Sequence, residues 1–340
     1  MVAGLWLVAV AACELAARRV ADFVLVDGLP VPIVRTHQEY GDVSFGTLGG
    51  VPIWRRPHPE RPTPRAIKTG FRIVLLGDSV VLPALIDARD GLAYLLEEEL
   101  NARLDGGPYE VVNLSEGGWN TRQEEQVFLH EGLALAPDLV LVGVTANDLQ
   151  EFAYRGGHLF EVGLLRDLDR VAAGGGLGVL TSRSYLYTLL WLRWKRVEYS
   201  TAIAMDRAVE TRVIVEPLRR MNRVALDRGA RLAMFCFPML SADRFDPSKD
   251  SCPFPSLVEW ASTENVPLLD PIPAYARHRN GDLRIDNIHL SVLGHRVLAR
   301  AAFDWLVGER LVPYQKVLPL TVQDQQPVGG MAESEGGEVR

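Results

Sequence analysis

From Phe71 onward the chain alternates short runs rich in Val, Leu and Ile with segments of helical period. That alternation restricts it to a parallel sheet covered by helices. Residues 72–76 read as a buried strand ending at Gly77, and 109–114, 138–144, 231–237 and 266–269 read as four more. The run 138–144 is continuous in Leu and Val, as a strand buried on both faces must be. Helical period covers 90–104, with Leu92, Leu95, Leu96 and Leu100 on one side, then 121–135 up to Pro137, 213–227, 256–264 and 291–307.

Three stretches stand outside this pattern. Residues 22–70 are rich in Pro, Gly and aromatics without helical period, which fits a small β appendage or an extended wrap. Residues 150–205 form a long insertion holding Gly174-Gly175-Gly176 and an aromatic segment from Tyr185 to Trp194. That segment reads either as a lid or acyl-chain wall, or as an amphipathic helix packed on the core. Residues 322–340 are polar, acidic and Gly-rich, the composition of a disordered tail. The expected layout is an apolar anchor segment at 1–21, an appendage at 22–70, a main domain at 71–310 interrupted by 150–205, and the tail.

At 340 residues and 48% hydrophobic, the chain can bury one large core with a small appendage. A net charge of -7 argues against a nucleic-acid partner, which needs a concentrated basic surface. The short cluster Arg193, Lys195 and Arg196, interleaved with tryptophan, reads as a solvated or interfacial helix face. Cys13, Cys236 and Cys252 are too few and too widely spaced for a disulfide framework or a zinc site. Cys236 sits in an apolar run and is expected to act as a small core residue, a bridge to Cys252 being open only to an exported domain. Met1 to Cys13 is apolar and is followed by Glu14, Arg18 and Arg19. It is short for a membrane span. It reads as a signal anchor, as a lipoprotein signal with Val10-Ala11-Ala12 before Cys13, or as a helix packed on the core. The first is favoured, which places the protein at a membrane or in the cell envelope.

Candidate chemistry gathers at the C-terminal ends of the strands, where open α/β sheets bind ligands. The first strand delivers Gly77-Asp78-Ser79, with a helix expected soon afterwards to aim free N–H groups at the site. Alone, this is equally a helix cap. More than two hundred residues later comes Asp286-Asn287-Ile288-His289, in which the carboxylate can hold the imidazole in the tautomer that accepts a serine proton. Between them, Asn113-Leu114-Ser115-Glu116-Gly117-Gly118-Trp119-Asn120 follows the second strand and Thr145-Ala146-Asn147-Asp148 the third. A backbone N–H from the first, the Asn147 amide and the Ser79 N–H would make three oxyanion donors. Each element alone is ordinary turn chemistry; their joint occurrence after successive strands points to acyl transfer. Asp78 reads as a turn cap, Asp148 as support for the Asn147 loop, and His130, His158, His278 and His295 as structural or surface residues.

These blocks resemble the SGNH hydrolase superfamily, the GDSL esterases and lipases, over residues 71–306. Ser79 matches the first block, Gly118 the second with Gly117 as the alternative, Asn147 the third, and Asp286 with His289 the fifth. The resemblance implies a three-layer α/β/α, flavodoxin-like fold with a five-stranded parallel sheet. It implies a Ser79–His289–Asp286 triad, an oxyanion hole of Ser79 N–H, Gly118 N–H and the Asn147 side chain, and no metal or other cofactor. The membrane anchor of many bacterial members resembles residues 1–21. Val80 replaces the family's leucine, and Thr145 stands where glycine usually precedes Asn-Asp, which narrows the space beside Asn147. The expected activity is hydrolysis of a small-molecule, lipid or carbohydrate ester through an acyl-enzyme. The alternatives are acyl transfer to a hydroxyl acceptor from the same site, and a catalytically silent envelope binding domain.

Overall fold

The computed structural model describes residues 10–16, 23–26, 29–32, 44–55, 64–149, 152–155, 158–161, 184–187, 190, 207–237, 244–247, 251–286 and 289–318. Two antiparallel hairpins come first, β1 (Phe23–Val26) with β2 (Leu29–Pro32) and β3 (Ser44–Leu48) with β4 (Val51–Arg55). The central sheet is built from β5 (Phe71–Leu76), β6 (Tyr109–Asn113), β7 (Leu139–Val144), β10 (Arg231–Cys236) and β11 (Leu268–Leu269). A hairpin of β8 (Phe152–Arg155) and β9 (His158–Glu161) interrupts the series. The five sheet strands are all parallel in the order β11-β10-β7-β5-β6.

Side chains alternate across this sheet with the period of two that a pleated strand imposes. Ile73 and Leu75 of β5, Leu139 and Leu141 of β7 and Phe235 of β10 share one core with α1 (Leu92–Arg103) and α5 (Val292–Gly308). Val74, Leu76, Val140, Val142 and Met234 face the other way. They meet α2 (Thr121–Val127), α3 (Glu216–Asp227) and α4 (Pro255–Thr263). Both faces are covered, so the strands read as unbroken apolar runs. The fold is the expected three-layer α/β/α arrangement with a flavodoxin-like strand order.

Departures from the expected elements have local causes. No helix follows Ser79 directly: residues 79–85 form turns, and a 3-10 turn (Ala88–Asp90) capped by Asp87 precedes α1, which begins at Leu92. The expected helix at 121–135 is α2 followed by a π turn (Phe128–Gly132) and a 3-10 turn (Leu133–Leu135). Another π turn (Thr211–Val215) leads into α3. The fifth strand is shorter than the apolar run because Pro267 cannot donate to the ladder; its carbonyl accepts from Met234 N instead.

The stretch 22–70 contains the first two hairpins. Of the expected anchor, residues 10–16 are helical, and Glu14 accepts from Ser184 Oγ and from the Tyr185 and Leu186 amides of the insertion. Residues 1–9, most of 150–205 and the tail 322–340 lie outside the described residues. Among the described residues, no helix is long and apolar enough to cross a membrane.

Cys236 is fully buried, as expected of a core residue, but it is also bonded to Cys252, against the favoured reading of a free thiol. The fold brings the two Cα atoms to 5.6 Å, within bridging range, by returning the chain to the end of β10 before α4. The bridge spans a sequence separation of 16, and closing a loop of that size stabilises by about 3 kcal/mol. Substituting Cys252→Ser is therefore expected to lower the unfolding free energy by about 3 kcal/mol without reductant. Urea titrations of the variant and of the reduced native protein should then share one midpoint, below that of the oxidised protein.

Candidate active site

Ser79 sits on the first turn beyond β5, half-buried, with buried residues on both sides. The turn is held by Asp78, whose Oδ1 accepts from Val80 N at 2.8 Å while its carbonyl accepts from Leu82 N at 2.9 Å. Val81 anchors it from below. An added Cβ would lie 2.3 Å from a Val81 methyl at Gly77 and 2.5 Å from it at Gly143 of β7. Glycine at both places lets the turn settle onto the sheet and fixes where Ser79 emerges.

Asp286 and His289 arrive from the far end of the chain. Leu283 O accepts from Ser291 N at 2.9 Å, and Ile285 N donates to His289 O at 2.9 Å, which closes a tight loop before α5. Within it Asp286 grips His289 twice: Oδ1 accepts from His289 N at 2.8 Å and Oδ2 lies 2.7 Å from Nδ1. The other ring nitrogen, Nε2, is 3.0 Å from Ser79 Oγ. The structure thus brings Ser79, His289 and Asp286 into one hydrogen-bonded series, the geometry a relay would need. Asn287 and Ile288 lie outside the described residues.

The loop after β6 passes beside the serine turn, with Glu116 N donating to Gly77 O at 3.2 Å. Gly118 takes φ +79, a left-handed conformation that favours glycine. Among the described residues neither the Ser79 N–H nor the Gly118 N–H has a hydrogen-bond partner. Both are main-chain donors without a partner there, one in the serine turn and one in the loop that passes beside it. The loop after β7 supplies Asn147, whose Nδ2 donates to Trp119 O at 3.2 Å and which also bonds the Asp78 carboxyl. Thr145 Oγ1 touches Asn147 Oδ1, so threonine in place of glycine ties this side chain down.

Asp148 holds the same loop: Oδ2 accepts from Thr145 N at 2.6 Å and Oδ1 accepts from Thr121 Oγ1 at 2.6 Å. Two other histidines among the described residues differ in their surroundings. His130 is exposed and bonds Gln126 O, whereas His295 is buried, which pushes its pKa down to about 4 and keeps it neutral. Two residues near the site carried no sequence signal. Trp54 of β4 reaches the glycine loop from 63 residues away. Glu124, inside an otherwise ordinary helix, is wholly buried.

No family model and no curated protein matches the sequence. Among solved structures the chain is similar to an alpha/beta hydrolase enzyme, LAE5, from the metagenome of Lake Arreo, Spain, at 18% identity over 73% of this chain and 99% of that one, with a TM-score of 0.46. It is similar to TesA at 16% identity over 71% and 99%, TM-score 0.44. It is also similar to the lipase/acylhydrolase from Enterococcus faecalis at 19% identity over 72% and 99%, TM-score 0.44. At such values the site has to be read from its own geometry.

Behind the relay three carboxyls share the interior. Burial pushes Asp148 up to about 7, with the Asp78 charge adding to the shift. Burial likewise raises Asp78. It raises Glu124 well above the usual range, with Asp148 and Asp78 nearby, and among the described residues neither Glu124 oxygen has a hydrogen-bond partner. A carboxyl whose pKa is raised on folding stabilises the fold below its unfolded pKa, near 4. That contribution is lost as pH rises through the folded pKa, which for Asp148 spans about pH 4 to 7. The cluster therefore makes the protein less stable on going from pH 5 to pH 8. Glu124→Gln should shrink the difference in unfolding free energy between those two pH values by about 1 kcal/mol or more. Denaturant titrations at both pH values will check this, and an unchanged difference refutes the burial of a protonated Glu124.

Proposed function

We propose that this chain is a serine hydrolase of the SGNH type that cleaves carboxylic esters through an acyl-enzyme. The observation that carries the reading is the relay from Ser79 Oγ to His289 Nε2 at 3.0 Å and from His289 Nδ1 to Asp286 at 2.7 Å. With Asp286 ionised, Nδ1 keeps its hydrogen and Nε2 presents its lone pair to the serine hydroxyl. Ser79 Oγ attacks the ester carbonyl carbon while His289 takes the hydroxyl proton. Collapse of the tetrahedral species expels the alcohol, which receives that proton from Nε2 and leaves an acyl-serine. Water then attacks the acyl carbon, giving its proton to His289, and the carboxylic acid departs as Ser79 recovers its hydrogen.

The open N–H groups of Ser79 and Gly118 are assigned to the oxyanion. Asn147 is assigned the third position, with a smaller share because Trp119 and Asp78 already hold its amide. The relay needs no metal, and Asp78 and Asp148 behind it hold the loops. An envelope location suits this reading, and its support is the Cys236–Cys252 bridge, since such bonds persist in oxidising compartments. Attachment to a membrane through residues 1–21 is proposed from the apolar sequence alone.

Replacing Ser79 by alanine is expected to reduce hydrolysis of 4-nitrophenyl acetate by about 10⁴-fold or more, because the nucleophile itself is removed. The fold should persist, as only one hydrogen bond to a half-buried side chain is lost. A fluorophosphonate probe should label the native protein at Ser79 and leave the variant unlabelled. Turnover or labelling retained in Ser79→Ala overturns the assignment.

A further inference from the structure

The hairpin β3–β4 is fastened to the glycine loop by two buried bonds running in opposite directions. Trp54 Nε1 donates to Gly117 O at 2.9 Å, and Trp119 Nε1 donates to Trp54 O at 3.0 Å. Trp54 is 2% exposed and Trp119 is 0% exposed, so neither bond competes with water. Next to them, Gln123 Nε2 donates to Pro52 O at 2.9 Å, and Gln123 Oε1 accepts from Asn120 N in the capping box that starts α2. Arg55 pairs with Glu131 and places its guanidinium 5.4 Å from the centre of the Trp119 ring.

Gly117 O and the Gly118 N–H belong to one trans peptide unit, so they point in opposite directions. A donor fixed on the oxygen therefore fixes the direction of the N–H. Glycine lies on both sides of this unit, and glycine offers little steric resistance to a peptide flip. The indole bond supplies the missing resistance, and the Trp54 ring lies against the loop, 3.4 Å from where a Cβ on Gly118 would be. A flipped peptide would turn a carbonyl oxygen towards the forming oxyanion and replace attraction by repulsion.

We infer that Trp54 is a positioning residue of the oxyanion hole, its indole N–H holding the Gly117–Gly118 peptide so that the Gly118 N–H faces the reacting carbonyl. This rests on the hydrolase reading above and gives the hairpin β3–β4 a part in it. Trp54 does not touch the substrate. It acts on the Gly118 donor and, through Trp119 O, on the loop that carries Asn147.

The test compares the native full-length protein with Trp54→Phe on 4-nitrophenyl acetate and on its thiono analogue, whose sulfur accepts hydrogen bonds poorly. Native turnover with Ser79 labelling tests the hydrolase reading by itself, and its failure is visible before any variant is made. Given that turnover, Trp54→Phe should lower kcat about 10- to 100-fold, within the range for loss of an oxyanion donor, and leave KM within about twofold. The preference for the oxygen ester over the thiono ester should fall by a similar factor. A folded Trp54→Phe with kcat within twofold of native, or with reduced kcat and an unchanged thiono preference, overturns the inference. Should Trp54→Phe fail to fold, β-(3-benzothienyl)alanine incorporated at position 54 keeps the ring's size, removes only the N–H that Gly117 O accepts, and should show the same split. An unchanged kcat and preference there overturns it equally.

Discussion

β5 and β7 lie side by side as parallel strands, and the site depends on that adjacency. The chain leaves β5 over one face of the sheet, through α1, and leaves β6 over the other, through α2, on its way back to β7. Winding therefore reverses at the β5–β7 boundary, where the loops part to opposite faces and leave a crevice at the C-terminal edge. Ser79 stands on one lip and Asn147 on the other. Val81 joins the two strands beneath them, seated against Gly77 and Gly143 alike. Any side chain on either glycine would lift the serine turn from the sheet.

The polar groups packed behind that crevice are satisfied only as a set. Thr145 Oγ1 has one hydrogen, yet it lies 3.0 Å from Asp78 Oδ2, 3.5 Å from Asp148 Oδ2 and in contact with Asn147 Oδ1. One hydrogen cannot serve three acceptors, so a neighbour must bring its own. With the Asn147 amide oriented by Trp119 O, a protonated carboxyl is the neighbour that can supply it. Burial raises the pKa of Asp78, Asp148 and Glu124 together, which favours the protonated carboxyl. Thr121 and Thr145 link this set to α2 and β7, so the loops after β5, β6 and β7 are joined by one network.

Legibility in the sequence followed from how specific each physical requirement is. The strands were readable because a sheet covered on both faces demands unbroken apolar runs, as in β5 and β7. The relay was readable because acyl transfer demands particular residue types, and Asp286 and His289 carry them only three positions apart. Pro267 displaced the start of β11 by removing a single backbone donor, which periodicity does not register. The Cys236–Cys252 bridge depends on a Cα separation set by the path of the chain, and spacing alone does not reveal it. Trp54 was invisible for a related reason. Its partners are main-chain atoms of Gly117 and Trp119, and a carbonyl accepts from any donor that reaches it, so no residue pattern announces the contact.

The two halves of the site are organised on opposite principles. Asp286 is about half exposed, and the loop that holds it is closed by bonds between near neighbours in sequence. On the side proposed for the oxyanion Trp54, Trp119, Thr121 and Asp148 are buried, with Glu124 buried beside them, and the bonds of the first four cross from hairpin to loop to helix to strand. The division matches what each half has to do. In the proposed mechanism a proton relay tolerates small motions, because His289 would change partners between serine, leaving alcohol and water. A hole for developing charge stabilises it best with donors already aimed, since dipoles that must reorient give back part of what they contribute. Burial is therefore concentrated where preorganisation matters most, and the hairpin that precedes the sheet belongs to that half of the site.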